Sequence, residues 1–156
     1  MIGRQGGRQY VYYTPGCLRR LGQIIHEVMH SLGFYHEMSR VDRDDYVTIV
    51  CSNIGRRDWK QFVSYRGDLQ GLPYDYDSLM HYPFNAFGKD LQLPTIIPKK
   101  KGARIGQRDR MSALDVVRIK LGYKCPLTAS EKKLVKKQPA DQSWEPSSCK
   151  TAGQRA

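Results

Sequence analysis

Residues 26–36 read His26-Glu27-Val28-Met29-His30-Ser31-Leu32-Gly33-Phe34-Tyr35-His36. On a helix, His26 and His30 stand four residues apart, so both imidazoles leave one face and can share an ion. Neutral imidazole nitrogens at that spacing suit Zn2+, which binds nitrogen at about 2.0–2.1 Å. Glu27 sits beside that face, where its carboxylate can reach a water activated by the metal without being a ligand. His36 comes six residues after His30, and continued helix would carry it about 120° away around the axis. It meets the same ion only if the chain turns, and Gly33 can take a positive φ at no steric cost. Helix, turn and third histidine give three nitrogen ligands and one open position, the donor set of a catalytic zinc, one ion per chain.

Working outward, Ile25, Val28, Met29 and Leu32 form an apolar stripe at helical spacing, so a helix is expected over residues 18–32, ending at Gly33. Upstream, residues 8–13 (RQYVYY) are expected to form a strand before a Thr14-Pro15-Gly16 turn. Downstream, residues 46–50 are β-prone, and Asn53 is expected to cap a short helix carrying Trp59, Phe62 and Val63. Residues 67–87 read as ordered but irregular, and residues 91–110 as a basic loop punctuated by prolines. Ser112 and Asp115 have the spacing of a capping box opening a helix that runs to Tyr123. The fourth histidine of the chain, His81, lies in Met80-His81-Tyr82, so all 4 fall in two short segments.

The chain has 156 residues, with 26 Lys+Arg against 15 Asp+Glu and a net charge of +11. That excess is local: residues 99–110 hold six basic residues and one acid, and residues 128–156 hold six against three. A basic domain can bind nucleic acid or another polyanion. Neither zinc-finger spacing nor the aromatic–basic motif of an RNA-binding sheet is present, so no nucleic-acid partner is expected. A basic anion-binding module ranks as the third reading. No stretch approaches the roughly 20 apolar residues of a membrane helix, and the first eight residues lack the apolar core of a signal peptide. The 4 cysteines are neither a dense disulfide scaffold nor a CxxC pair, and they allow three pairings.

Extended by Gly33 and His36 and followed by a methionine turn, the histidine motif is the metzincin signature. Gly33-Phe34 with residues 36–44 (HEMSRVDRD) resembles the astacin pattern GFxHExxRxDRD, and residues 74–82 (YDYDSLMHY) resemble the astacin Met-turn. Ile105-Gly106-Gln107-Arg108 and the helix between Ser112 and Cys125 are similar to that family too. The chain is therefore identified as a member of the astacin family of zinc endopeptidases, with the likeness running from about Gly3 to Cys125.

The resemblance implies that His26, His30 and His36 ligate zinc and that Glu27 serves as general base and then general acid. It implies that Met80 forms an apolar floor beneath the metal. Tyr82 matches a displaceable fifth ligand that swings off to hydrogen-bond the developing oxyanion. Several family members prefer an acidic residue just after the scissile bond, which nominates Arg108 and Arg110 as substrate-binding residues. In the family, the residue matching Glu37 contacts the mature N-terminus; here Arg40, Asp42, Arg43 and Asp44 are expected to hold the segment after His36 through ion pairs.

The implied fold is α+β and metzincin-like, with an active-site helix and a C-terminal subdomain of Met-turn and C-terminal helix. Its N-terminal sheet is expected to be largely missing. Residues 1–127 are assigned to a partial peptidase domain, and residues 128–156 to a basic polar tail, disordered or opening a further module. Family partners of Cys17 and Cys125 lie upstream of Met1, while Cys51 and Cys149 match no family cysteine, so none of the three pairings is the family's. The expected function is zinc-dependent hydrolysis of protein or peptide substrates outside the cell, a location implied by the family. The alternative is a truncated, catalytically weak or silent fragment that binds zinc or protein only.

Overall fold

The computed structural model describes residues 2–13, 16, 20–136 and 149. Its elements are helix α1 (Leu21–Ser31), strand β1 (Val47–Ile49), strand β2 (Ile96–Pro98), helix α2 (Ala113–Gly122) and a short helix α3 (Ala129–Lys132), with short 3-10 segments between α1 and β2, the longest at Arg56–Phe62. The fold is α+β with little sheet: β1 and β2 pair antiparallel, Val47 opposite Pro98 and Ile49 opposite Ile96. Val47 and Ile96 point into the core while Thr48 and Ile97 face outward, the period of two that one buried sheet face requires.

Strand β2 falls inside the stretch expected to be an irregular basic loop, whose prolines and lysines obscure three strand residues. The strand expected over residues 8–13 does not form. Its side chains are β-prone, but an isolated strand has no ladder partner, and Tyr10 and Tyr12 stay exposed. The Asn53 cap does not form either. The turn at Arg56–Phe62 starts after Gly55, and Asn53 donates from Nδ2 to the Pro94 carbonyl at 2.8 Å.

Two apolar clusters hold the molecule. The larger contains Met38, Val47, Ile54, Phe62, Tyr74, Tyr82, Ile96 and Cys149. The smaller joins Met29 of α1 to Leu79 and Met80, with Ile25, Phe34, Met111 and Ile119 around them. Burying each such side chain is worth about 1.5–3 kcal/mol, so the second cluster fixes α1 onto the turn at Met80. The α1 stripe splits: Met29 is buried, while Leu21, Val28 and Leu32 lie on a side exposed to solvent.

Cys51 and Cys149 form a disulfide, which brings Cys149 into the larger cluster. Cys125 is an exposed free thiol, and Cys17 lies outside the described residues. The stretch from residue 128, expected to begin a basic tail, starts with a capped turn. Thr128 and Glu131 form a capping box, Lys120 pairs with Glu131 at 2.7 Å, and the Lys136 amide donates to the Gly71 carbonyl at 2.7 Å. The rest of that stretch, Cys149 apart, lies outside the described residues.

Helix α2 begins as its sequence predicts: the Ser112 hydroxyl accepts from the Asp115 amide at 2.9 Å, and Asp115 returns a bond to the Ser112 amide at 3.0 Å. The same Asp115 carboxylate accepts from the Ser78 hydroxyl at 2.7 Å and the Leu79 amide at 2.8 Å, tying α2 to the methionine turn. Asp75 lies alongside, bonded to the Ser112 hydroxyl. Burial, joined by the charges of Asp115 and Glu37, pushes the Asp75 carboxyl up to about 6 against the Ser112 bond.

This carboxyl therefore titrates higher folded than unfolded. Its contribution to stability is full below the unfolded value of 3.8 and is lost as pH rises through about 6. Asp75→Asn, which cannot ionise, should gain about 2–3 kcal/mol relative to the parent chain between pH 4 and pH 8, a shift of ~2 pH units at 1.36 kcal/mol each. Urea unfolding at both pH values measures it, and a gain independent of pH refutes it.

Candidate metal centre

Helix α1 ends as the motif needs. Gly33 has φ +99, its amide donates to His30 O at 3.0 Å, and the Phe34 amide donates to Met29 O at 3.1 Å. These two bonds are the Schellman arrangement, which closes the helix and reverses the chain at a glycine. The reversal returns His36 to the face that carries His26 and His30.

Two carbonyls then orient the rings. His26 Nδ1 lies 2.9 Å from Leu79 O, and His30 Nδ1 lies 2.8 Å from Phe34 O. A carbonyl only accepts, so Nδ1 carries the hydrogen on both rings and Nε2 presents a lone pair. The Nε2 atoms converge: His30 to His36 is 3.1 Å and His36 to His26 is 3.3 Å. A tetrahedral ion with bonds of 2.0–2.1 Å sets its nitrogens about 3.3 Å apart, so the donor set fits zinc. Among the described residues these three form a group able to hold a metal ion.

Burial lowers the basicity of all three rings. His26 falls to about 4 against its bond to Leu79 O, and His36 falls to about 2 with the neighbouring His30 and His26 adding to burial. His30 moves down as well, less than burial alone would give because of its bond to Phe34 O. Neutral imidazoles are the form that ligates.

The other expected site residues are placed differently from one another. Met80 is fully buried, packed with Met29 and Leu79. The Tyr82 ring centroid lies 4.2 Å from that of His36, and burial pushes its hydroxyl up to about 12 although Arg108 opposes this. Glu27 is exposed on α1, and its charge reaches His30, Tyr82 and Arg108. Arg108 is half-buried, with Nη1 donating to Leu79 O at 2.9 Å, His81 O at 2.8 Å and Gln107 O at 2.8 Å. Arg110 is exposed and pairs with Asp77 at 3.1 Å.

His81 is fully buried, with Nε2 2.7 Å from the Tyr74 hydroxyl and Nδ1 2.8 Å from Tyr82 O. Its bonds hold the turn rather than a metal. After His36, Arg40 pairs with Asp42 at 2.7 Å and Arg43 with Asp44 at 3.1 Å. Glu37 is completely buried and is bonded by Arg118, by Arg40 at 3.2 Å and by the Asp75 amide at 2.8 Å. Sequence reasoning did not single out Arg118, because its partner stands 81 positions away.

Residues 1–124 match the peptidase family described as Astacin. The chain belongs to the astacin family. Zinc metalloproteinase nas-15 of Caenorhabditis elegans is 47% identical over 130 residues, covering 81% of this chain and 22% of that protein. The low choriolytic enzyme of Oryzias latipes is 45% identical over 127 residues, covering 80% of this chain and 46% of that protein. Among solved structures, high choriolytic enzyme 1, a hatching enzyme zinc-protease of Oryzias latipes, is similar with a TM-score of 0.65 and 40% identity, covering 67% of this chain and 53% of that one. This astacin chain thus spans less than half the length of those two curated relatives. Zinc, as the relative's name indicates, is the metal that the three histidines fit.

Proposed function

We propose that this chain is a zinc-dependent endopeptidase acting on protein or peptide substrates. The observation that carries the reading is the convergence of three histidine ligand atoms within 4.8 Å of one another, with His36 Nε2 at zinc-tetrahedron distance from the other two, beside Tyr82. His26, His30 and His36 hold the metal, which when bound supplies a Lewis acid for the scissile carbonyl and makes water a nucleophile near neutral pH. Glu27 takes a proton from the attacking water and delivers it to the leaving amine. Tyr82, whose hydroxyl stays protonated well above neutral pH, donates a hydrogen bond to the developing oxyanion. Met80 supplies the apolar floor.

Arg108 and Arg110 supply the positive charge that favours an acidic residue just after the scissile bond. The Cys51–Cys149 disulfide supports an oxidising, extracellular location. Among the described residues no helix is long and apolar enough to cross a membrane. One observation favours a second reading, a silent fragment: Leu21 and Val28 leave an apolar side of the active-site helix in solvent.

One experiment separates the readings. The zinc-loaded chain is given casein and matched peptides with Asp, Glu or Leu after the scissile bond. The endopeptidase reading expects hydrolysis that a chelator stops, fastest before Asp or Glu. Zinc uptake without hydrolysis supports the fragment, and equal peptide rates remove the acidic preference.

A further inference from the structure

Arg108 touches both elements that build the metal face. Its backbone lies against Gly22, where an added Cβ would meet Arg108 O at 2.1 Å. Gly22 stands one helical turn before His26 on α1. The side chain then reaches the methionine turn, where Nη1 donates to the carbonyls of Leu79 and His81, one on each side of Met80. Leu79 O is shared, since it also accepts from His26 Nδ1 at 2.9 Å. A carbonyl oxygen has two lone pairs, and here two donors occupy them. The position of that oxygen sets the tautomer and tilt of the His26 ring.

We propose that Arg108 is a positioning residue for the zinc site: its guanidinium fixes the Leu79 carbonyl that orients His26, and the His81 carbonyl that precedes Tyr82. The inference rests on the metal reading of the three histidines. It differs from the charge role on substrate, because it acts through the protein backbone on the affinity for the metal itself. Partners of this kind typically change metal affinity by 10–100-fold when removed. A lysine in place of Arg108 keeps the charge, but its stem is shorter and its rotating ammonium lacks the fixed in-plane N–H directions with which Nη1 meets both carbonyls.

The test uses the full chain with Arg108→Met and Arg108→Lys, each checked for folding by circular dichroism. Zinc affinity is read by competition with a chromogenic chelator, and site geometry by the visible absorption of the cobalt-substituted protein. Arg108→Met is expected to weaken zinc binding by about 10–100-fold and to change the cobalt bands. Arg108→Lys is expected to lose about tenfold. With a peptide bearing Leu after the scissile bond, kcat falls while KM holds.

Zinc affinity within threefold of the parent and unchanged cobalt bands overturn the proposal, even where KM for an Asp peptide rises. If Arg108→Met does not fold, the same readouts on Arg108→Lys decide. A parent chain that takes up no zinc overturns the metal reading and this inference with it. A parent chain that binds zinc without hydrolysing leaves the affinity readout valid, and a loss there still supports Arg108.

Discussion

Glu27→Ala is expected to lower casein hydrolysis by roughly 10²-fold or more while zinc uptake stays at one ion per chain. The direction follows from where Glu27 sits. It lies on α1 between two ligands, and its carboxylate is exposed rather than built into the core. Its charge is nevertheless felt at His30, Tyr82 and Arg108. Alanine is the best helix former, and the bond from the Ser31 hydroxyl goes to the Glu27 backbone, which the substitution keeps. Folding and metal binding should therefore survive, and the loss should appear in kcat with KM little changed, as expected for an interaction made in the transition state. Measured turnover of the zinc-loaded variant, with zinc counted in the same sample, checks both parts. Hydrolysis at the parent rate would show that Glu27 is not the base.

The part of this site that was legible in sequence is the part encoded by spacing. Helical repeat places His26 over His30, and a glycine three residues on lets His36 return. Both features are local, so a single sequence carries them. Orientation of the rings is not local in the same sense. Leu79 O holds His26 across 53 positions, and any residue type has a carbonyl, so no side-chain pattern announces it. The same holds for Arg108, whose residue type suggested a role in charge while its Nη1 is spent on backbone oxygens.

Secondary structure divides along a similar line. The Ser112–Asp115 capping box could be read because both partners lie within one turn, whereas the further bonds of Asp115 to Ser78 and Leu79 could not. Residues 8–13 have strand composition, but a strand exists only with a partner, and propensity cannot supply one. Strand β2 shows the converse: three residues among lysines and prolines become a strand because Val47–Ile49 lies opposite. The Cys51–Cys149 bond spans 98 positions and was open among three pairings.

Arg118→Met is expected to destabilise the fold by about 3–5 kcal/mol at pH 8, the range for breaking a buried ion pair from one side. Glu37 has no exposed surface, and Arg118 supplies two of its bonds, with Arg40 and the Asp75 amide supplying the others. Burial pushes the Glu37 carboxyl up, but the adjacent Arg118, aided by Arg40, holds it below its ordinary value. In the parent chain this pair therefore adds stability above the unfolded pKa of 4.5, which is lost as pH falls through the depressed folded value. Without Arg118 the burial contribution wins and the sign reverses: Glu37 then opposes folding once pH exceeds its unfolded pKa, and protonation relieves it. The defect should shrink toward pH 4. A double variant, Glu37→Gln with Arg118→Met, should recover at least about 2 kcal/mol, because no buried charge is then left unpaired. Since Glu37 directly follows His36 and its amide donates to Met80 O at 3.1 Å, the single variant should also weaken zinc binding, and the double variant should restore part of it. Urea unfolding of the parent, Arg118→Met, Glu37→Gln and the double variant at pH 4 and pH 8 completes the cycle. A loss under 1 kcal/mol in Arg118→Met at pH 8, or one equal at both pH values, would falsify the assignment of Arg118 as the charge that lets Glu37 be buried next to the third ligand.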